Sequence, residues 1–564
     1  MPYTPPIEEQ KFVLRHVVGI EELGGGNAFP DATLDTVDAI VEGAGEFAAG
    51  EWAPLNRVGD TVGAIWSADG VTMPEGFHAA YRAYVEGGWG ALAAPASHGG
   101  MGLPQVLATV VLEDLGSANM GFSLCPMLSA GAIEALKHHG SAEQQGRWLP
   151  RLISGEWTGT MNLTEPQAGS DVGALKSRAE PIGNGLYRIK GQKIFITYGD
   201  HDLTDNIVHL VLARLPDAPP GTKGISLFLV PKHRADGSAN DARCVSIEHK
   251  LGIHASPTCV MAFGDNDDCE GELIGREGGG MAAMFTMMNN ARMNVGLQGV
   301  SVAEAATQQA VDYARTRIQG SRNGAQAAII EFPDVRRMLL RMKALTQGAR
   351  ALTYYMAGQV DRASLGDEAA AARAQLLTPL VKAWGTDVGC EVASLGVQIH
   401  GGMGFIEETG AAQYYRDARI APIYEGTNGI QAADLVGRKL GLQGGEALRS
   451  LLADIRAEAS AEIVTLVSAI EEVVAWMEGG SGDDRLAGSY PLLTMLSVAT
   501  AGWLLDRQAA AVEASDASPE YRAGKIAAAS YLRNVVAGEA AGLKAAAMLG
   551  DSLLRDLSEE TFAA

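Results

Sequence analysis

The sequence predicts a mainly α protein with a central β domain and a further helical block at its C-terminal end. Apolar residues recur at spacings of three and four over about 36–158 and again over 278–440. Between them, over 159–275, lie short alternating and β-branched runs bounded by Gly, Pro and Asp. A third observation is the break Gly441-Leu442-Gln443-Gly444-Gly445, followed by Ala-rich amphipathic segments. At 564 residues the chain is too long for one small core, and domains of ~100–200 residues imply about three or four.

In chain order, residues 1–35 read as an irregular arm, with Pro2, Pro5, Pro6 and the run Gly24-Gly25-Gly26, ordered by packing on the body. Residues 36–158 read as a helical N-terminal domain, interrupted by the loop Gly99-Gly100-Met101-Gly102-Leu103-Pro104. Leu186–Gly191, Ile207–Leu212 and Ile225–Val230 are strand runs of a compact β domain over 159–275. In the helical region 276–440, Val335, Met338, Leu339, Met342, Leu345, Ala349, Leu352 and Met356 form one core stripe, with Arg336, Arg337, Arg341 and Lys343 mainly off it. Residues 441–564 form the additional helical domain, with a loop at Gly479–Asp484.

Composition narrows the function classes. The formal charge is −23, from 44 Lys and Arg against 67 Asp and Glu. That balance opposes broad nucleic-acid binding, which needs cations to neutralise phosphates, and docking on anionic membranes. A polyanionic ligand would need local basic residues. Cys125, Cys244, Cys259, Cys269 and Cys390 form no CxxC pair and no metal-like cluster, so they read as reduced thiols. The start of the chain lacks a basic-then-apolar signal, no apolar stretch approaches the ~20 residues of a membrane span, and the last residues are not a peroxisomal address. The expectation is a cytoplasmic protein without a metal.

The most informative segment is Ile423-Tyr424-Glu425-Gly426-Thr427-Asn428-Gly429-Ile430-Gln431, downstream of Gln398-Ile399-His400-Gly401-Gly402-Met403-Gly404-Phe405. It sets one carboxylate, Glu425, in apolar and glycine-rich company, where burial favours the protonated form and suits a base near neutral pH. Alone, such a turn also reads as a surface loop. Met161-Asn162-Leu163-Thr164-Glu165-Pro166-Gln167-Ala168-Gly169-Ser170-Asp171 offers hydroxyls and a glycine that admits close backbone approach; its plain reading is a turn entering a strand. Lys193-Ile194-Phe195-Ile196-Thr197 carries a flat ring that reads either as a stacking surface or as strand core. Asn289-Asn290-Ala291-Arg292 lies in a Met-rich helix whose Met284, Met287, Met288 and Met293 line a tunnel or fill core. Tyr313-Ala314-Arg315-Thr316-Arg317-Ile318-Gln319-Gly320 presents guanidinium groups suited to phosphate, or a solvated arginine face. No strand-GxGxxG-helix unit occurs, which argues against a Rossmann dinucleotide domain.

Taken in order, these motifs resemble the acyl-CoA dehydrogenase family over residues 36–440, and the extra C-terminal residues resemble its longer branch. The resemblance implies a helical N-terminal domain, a β-barrel-like middle domain and a helical-bundle catalytic domain, followed by the additional helical domain. It implies FAD as cofactor, with Met161, Leu163, Thr164, Gly169, Ser170, Phe195, Ile196, Thr197, Arg317, Gln319, Gln398, Gly401, Gly402, Thr427 and Gly429 around it. Phe195 stands where the family commonly has Trp, and Ser321-Arg322-Asn323 departs from the family's Phe and Gly after the phosphate-binding arginine. Ser170, Asn289, Arg292 and Tyr424 are implied on the substrate side.

Glu425 is the implied base, taking the α-proton of an acyl-CoA thioester while the β-hydrogen leaves as hydride to flavin N5, giving the trans-2-enoyl-CoA. Some members place the base immediately before the arginine matched by Arg292; here that residue is Ala291. By the same resemblance the thioester carbonyl is polarised by the Glu425 backbone N–H and a flavin ribityl hydroxyl. The resemblance also implies that electrons pass to an electron-transferring flavoprotein. Arg317 and Gln398 serve a neighbouring subunit's FAD, so the implied assembly is a homodimer or larger. Rival readings are an acyl-CoA oxidase and a DNA-associated flavoprotein of the same fold.

Overall fold

A computed structural model describes residues 3–24 and 28–564. The chain divides into two compact units, Glu42–Asn294 and Tyr3–Val41 with Val295–Ala564.

In the first unit a small hairpin of β1 (Ile65–Ser67) and β2 (Gly70–Thr72) interrupts the predicted all-helical region. The helices Gln105–Ala118 and Met120–His139 are buried along most of their length. Asn119 starts the second of them by accepting the Phe122 N–H (3.1 Å), and Phe122 stacks on Trp52 with ring centroids 4.0 Å apart. Ser141 and Gln144 form a reciprocal capping box on Ala142–Ser154, which stops at Gly155 in the left-handed region.

The β region follows: β3 (Thr158–Asn162), β4 (Arg178–Gly183), β5 (Leu186–Thr197), β6 (Ile207–Arg214), β7 (Ile225–Pro231), β8 (Ala242–Ile247), β9 (Thr258–Phe263) and β10 (Glu270–Ile274). Its strand order is β10-β7-β6-β4-β5-β9-β8, and β10 pairs with β5 as well as with β7. That second pairing closes a ring, as the resemblance implied. Ala179, Ile189, Val211, Phe228 and Val230 fill the core, while β6 and β7 are apolar along nearly their whole length. Strands buried on both faces lose the polar alternation of a half-exposed sheet.

The second unit is helical. Its longest elements are Pro333–Ser364, Glu368–His400 and Gly482–Glu513. Of the predicted stripe on Pro333–Ser364, Met338, Met342, Leu345, Ala349, Leu352 and Met356 are buried. Two expectations are corrected. The supposed irregular arm is helical, over Ile7–Val13, Leu14–Val18 and Ile20–Gly24, and buries Phe12, Val13, Leu14, Val17, Val18 and Ile20; Gly25 and Gly26 lie outside the described residues. The prolines at 5 and 6 precede this helix rather than prevent it, since the first turn needs no N–H donors there. The region 276–440 also contains a hairpin, β11 (Ile318–Arg322) with β12 (Ala325–Ala328), turning at Asn323-Gly324, both at positive φ.

Glu9 ties this N-terminal segment to the C-terminal helices. Its carboxylate accepts from Lys525 Nζ (2.6 Å) and Tyr521 Oη (2.7 Å), and Arg350 lies 3.9 Å away. Glu9, Arg350 and Lys525 are all buried. Burial pushes the Glu9 carboxyl up, but the Lys525 and Arg350 charges outweigh it and hold it at about 2. Replacing Glu9 with Ala leaves two cations in the interior without their shared carboxylate, at a cost of ~3–5 kcal/mol. Denaturant unfolding of Glu9→Ala should show that loss, and the double variant Glu9→Leu/Lys525→Met should recover most of it.

Candidate active site

In the first unit, the 161–170 segment is pinned to β5 by a buried ion pair absent from the sequence reading. Lys193 Nζ donates to Glu165 (2.8 Å) and to the Leu163 carbonyl (3.0 Å). Glu165 also accepts from the Ser177 N–H (3.0 Å), Ser177 Oγ (2.6 Å) and the Lys176 N–H (2.7 Å). Burial pushes the Glu165 carboxyl up, yet the Lys193 ammonium and these donors hold it at about 2; burial lowers Lys193 to about 8. The pair is ionised at neutral pH.

The β5–β9 register shifts between Lys193 and Ile196, and Phe195 sits at the irregularity with φ +60°. A bulge of this kind re-aims a side chain. Phe195 is 58% exposed while Ile196 is 2% exposed. The core-strand reading of Phe195 is therefore overturned, and its ring is presented to solvent. Thr197 is half-buried. Met161 and Leu163 are buried, Thr164 is half-buried, and Gly169 and Ser170 are exposed. A Cβ on Gly169 would meet open space. Asn289 is exposed and Arg292 buried; Met284, Met287 and Met293 are core residues and Met288 is half-buried.

In the second unit, Glu425 has φ +57° and Gly426 φ +84°. Two consecutive left-handed residues turn the chain sharply, and the glutamate's share costs about 1–3 kcal/mol unless its surroundings enforce it. The enforcement is visible. The Asn428 N–H closes the loop on the Pro422 carbonyl (3.0 Å), and Gln431 Nε2 donates to the Glu425 carbonyl (3.3 Å). Thr427 Oγ1 accepts from the Ile430 N–H (3.2 Å), capping the helix Asn428–Asp434. The Thr427 hydroxyl, read from sequence as a cofactor contact, also has a capping role, in which its oxygen accepts and its hydrogen remains to donate. The Asn428 side chain is buried and fully engaged. Its Oδ1 accepts from Lys382 Nζ (2.9 Å), and its Nδ2 donates to the Ala383 carbonyl (3.1 Å), Thr386 Oγ1 (3.0 Å) and Asp387 Oδ1 (2.9 Å).

Glu425 itself is half-buried. Tyr424 donates a short hydrogen bond to Gln298. Burial and the neighbouring Glu425 carboxylate push the Tyr424 phenol far above its ordinary range, so it remains a donor. Gly429 is exposed. Arg317 and Gln319 are exposed, with Arg317 Nη2 donating to Gln319 Oε1 (3.3 Å). Gln398, Gly401 and Gly402 are exposed too, at the end of the helix Glu368–His400, and a Cβ on either glycine would meet nothing within 4 Å. Met403 and Phe405, 47% and 85% exposed, follow at once.

The Asn428, Lys382 and Asp387 cluster was missed in the sequence. Asn428 lies inside the quoted motif, but its partners are more than forty positions away and no local spacing links them. The Lys193–Glu165 pair, 28 positions apart, escaped for the same reason. Among the described residues no His/Cys/Asp/Glu group is arranged to hold a metal ion.

The chain runs helices, closed β ring, helices, with an exposed aromatic at a bulge in the first unit and a carboxylate on a locked loop in the second, the order of elements expected of a flavin-dependent oxidoreductase of the helix–β–helix class. Residues 35–156 match the description "Acyl-CoA dehydrogenase, N-terminal domain", 160–266 the middle domain and 278–440 the C-terminal domain; 431–558 match "Acetyl-CoA dehydrogenase C-terminal like". The chain belongs to the acyl-CoA dehydrogenase family and is an FAD-dependent oxidoreductase of that family. It is 46% identical to 3-methylmercaptopropionyl-CoA dehydrogenase of Ruegeria pomeroyi, over 98% of this chain and 99% of that one. It is 35% identical to a butyryl-CoA dehydrogenase of Syntrophomonas wolfei, over 99% of each. The FAD-complexed acyl-CoA dehydrogenase structure from Bacillus anthracis shares the fold, with a TM-score of 0.75 and 22% identity over 95% of this chain and 90% of that one.

The Glu165–Lys193 pair has a testable pH signature. Glu165 has a folded pKa below its ordinary 4.5. Its stabilisation is therefore complete above about 4.5 and is lost as pH falls toward about 2. Glu165→Ala should cost ~3–5 kcal/mol at pH 7, and this deficit should shrink in unfolding curves taken between pH 4.5 and the acid limit. A deficit independent of pH would show that the ion pair is not its source.

Proposed function

We propose that Glu425 is the base that removes the α-proton of an acyl-CoA thioester. The observation that carries this reading is the Glu425-Gly426 backbone, held left-handed by the Pro422–Asn428 closure and the Gln431 bond to the Glu425 carbonyl. A strained, over-determined loop presenting one carboxylate is the mark of a functional position. Tyr424 beside it is apolar in its ring and committed through its hydroxyl to Gln298, so it shields the carboxylate from water without competing for the proton. The Glu425 backbone N–H polarises the thioester carbonyl, which lowers the barrier to losing so weakly acidic a hydrogen. Ser170, Asn289 and Arg292 serve the substrate side.

The residues present fit FAD: the exposed Phe195 ring offers a stacking face, and Gly169, Gly401 and Gly402 each leave open space where a side chain would stand. We assign the flavin to Met161, Leu163, Thr164, Gly169, Ser170, Phe195, Ile196 and Thr197, with Gly429. Arg317, Gln319, Gln398, Gly401 and Gly402 grip the cofactor of a second copy of this chain. Arg317 is an exposed guanidinium whose geometry matches a diphosphate. FAD, when bound, supplies the two-electron acceptor for the β-hydrogen. The remaining assignments are a homodimer in the cytoplasm, an electron-transferring flavoprotein as the onward acceptor, and a place in fatty-acid β-oxidation. The division at 35, 158, 275 and 440 marks the domains. No helix among the described residues is long and apolar enough to cross a membrane.

The relatives' names make short acyl thioesters the first substrates to test, in a panel running from 3-methylmercaptopropionyl-CoA and butyryl-CoA to long-chain acyl-CoA. Glu425→Gln should retain FAD, yet its anaerobic flavin reduction by the best of these should fall ~10²–10⁴-fold; bleaching at the parental rate would remove Glu425 from the role. Phe195→Gly should leave the fold as stable or slightly more so, because glycine tolerates the positive φ. FAD retention on dilution should nevertheless drop, through loss of the stacking ring.

A further inference from the structure

Asn428 is the residue through which the Glu425 loop meets the rest of its unit, and its amide is held between opposite charges. Lys382 Nζ requires an acceptor and finds Oδ1, while Asp387 requires a donor and finds Nδ2. A side-chain amide turned by 180° would set its oxygen against the carboxylate and its NH2 against the ammonium. The two charges therefore fix one orientation.

Asp387 does not stand alone. Its second oxygen accepts a 2.6 Å hydrogen bond from Tyr490 Oη. Tyr490 belongs to Gly482–Glu513, a helix of the C-terminal block. Both carboxylate oxygens of Asp387 are thus engaged, one by the loop and one by the C-terminal block. Burial raises the Asp387 pKa, while Tyr490, Asn428, Lys382 and Arg419 all favour its charged form.

We propose that Asp387 and Tyr490 are positioning residues for proton abstraction. The tyrosine hydroxyl holds the carboxylate, the carboxylate orients the Asn428 amide, and Asn428 fixes the loop that presents Glu425. This rests on Glu425 being the base. It gives the C-terminal helical block a direct part in the chemistry at the loop. Tyr490 is 37% exposed, and its replacement by Phe keeps the ring and removes only the hydroxyl bonded to Asp387, so the rate can be read on folded protein well below its thermal midpoint.

The test uses full-length, FAD-loaded Tyr490→Phe, Asp387→Ala, Asp387→Asn and Glu425→Gln, with anaerobic stopped-flow flavin reduction by butyryl-CoA and by its α-dideuterated form. Tyr490→Phe should reduce about five- to tenfold more slowly, with unchanged FAD content and a thermal midpoint only a few degrees lower, and with a larger α-deuterium isotope effect because proton transfer limits the rate more strongly. Asp387→Ala should lose more. Asp387→Asn should regain much of that loss, since an amide can accept from Asn428 and donate to the tyrosine oxygen. Reduction of both Tyr490→Phe and Asp387→Ala at the parental rate would overturn the proposal. So would losses that merely track FAD content, or an Asp387→Asn no better than Asp387→Ala. If Glu425→Gln itself is reduced at the parental rate, the base assignment fails; if it is inert while Tyr490→Phe is unaffected, only the positioning role fails.

Discussion

The backbone at Glu425 depends on how Asn428 is held, with the Gln431 amide bonding the Glu425 carbonyl beside it. A glutamate at φ +57° followed by a glycine at φ +84° is not a conformation the local sequence prefers. It persists because Asn428 closes the loop with its backbone and is itself held by four side-chain and backbone partners. A buried polar network of this kind has value only when every member is satisfied. Here the charges are arranged so that each polar atom of the amide has one acceptable partner type. The loop's rigidity is a consequence of that satisfaction, and so is the direction in which Glu425 is presented.

The same device recurs in the other unit with different parts. Phe195 is also a non-glycine residue at positive φ, and it too is flanked by a buried charge pair that fixes the adjoining chain. Lys193, two residues earlier, reaches inward to Glu165 and the Leu163 carbonyl, while the register shift turns Phe195 outward. A regular strand at this point would set Phe195 on the same face as Lys193, which is wholly buried. The irregularity separates them. Both units thus hold a strained residue by the same means: an interior ion or amide network supplies the free energy that the local conformation lacks.

How much of this was legible in sequence follows from the range over which each feature is encoded. The strands 186–197, 207–214 and 225–231 announce themselves through contiguous β-branched and apolar runs, and the Pro333–Ser364 stripe through its period, because both signals are local. Glu425, Phe195 and Arg317 were singled out because each sits in a short motif that resembles a known family's. The N-terminal helices were misread because prolines and glycines at their margins were taken as typical of the whole segment, whereas Phe12, Val13, Leu14, Val17 and Val18 between them are core residues. The pairs that hold the site were not legible at all. Lys193 with Glu165, Lys382 and Asp387 with Asn428, and Tyr490 with Asp387 are set by tertiary packing, and each looks in isolation like an ordinary surface charge or tyrosine.

That difference in legibility bears on what the C-terminal block contributes. Its helices read as a generic amphipathic addition, and most of its buried residues, such as Leu492, Leu493, Leu496 and Leu504, do no more than pack. Several of its polar side chains reach outside the block, Tyr521, Glu539 and Asp454 among them, and two bear on position at its two ends. Lys525 reaches back to Glu9 at the start of the chain, and Tyr490 reaches Asp387 beside the Glu425 loop. A block that only added stability would need neither contact, because apolar burial alone can stabilise and a buried charge pair is seldom the cheaper way to do so. Ionic and hydroxyl contacts specify position where apolar ones tolerate sliding. The Glu9 contact fixes where the first helices lie against the C-terminal ones. The Tyr490 contact fixes one helix of the block against the carboxylate that orients Asn428, so the block's packing and the geometry of the loop cannot vary independently.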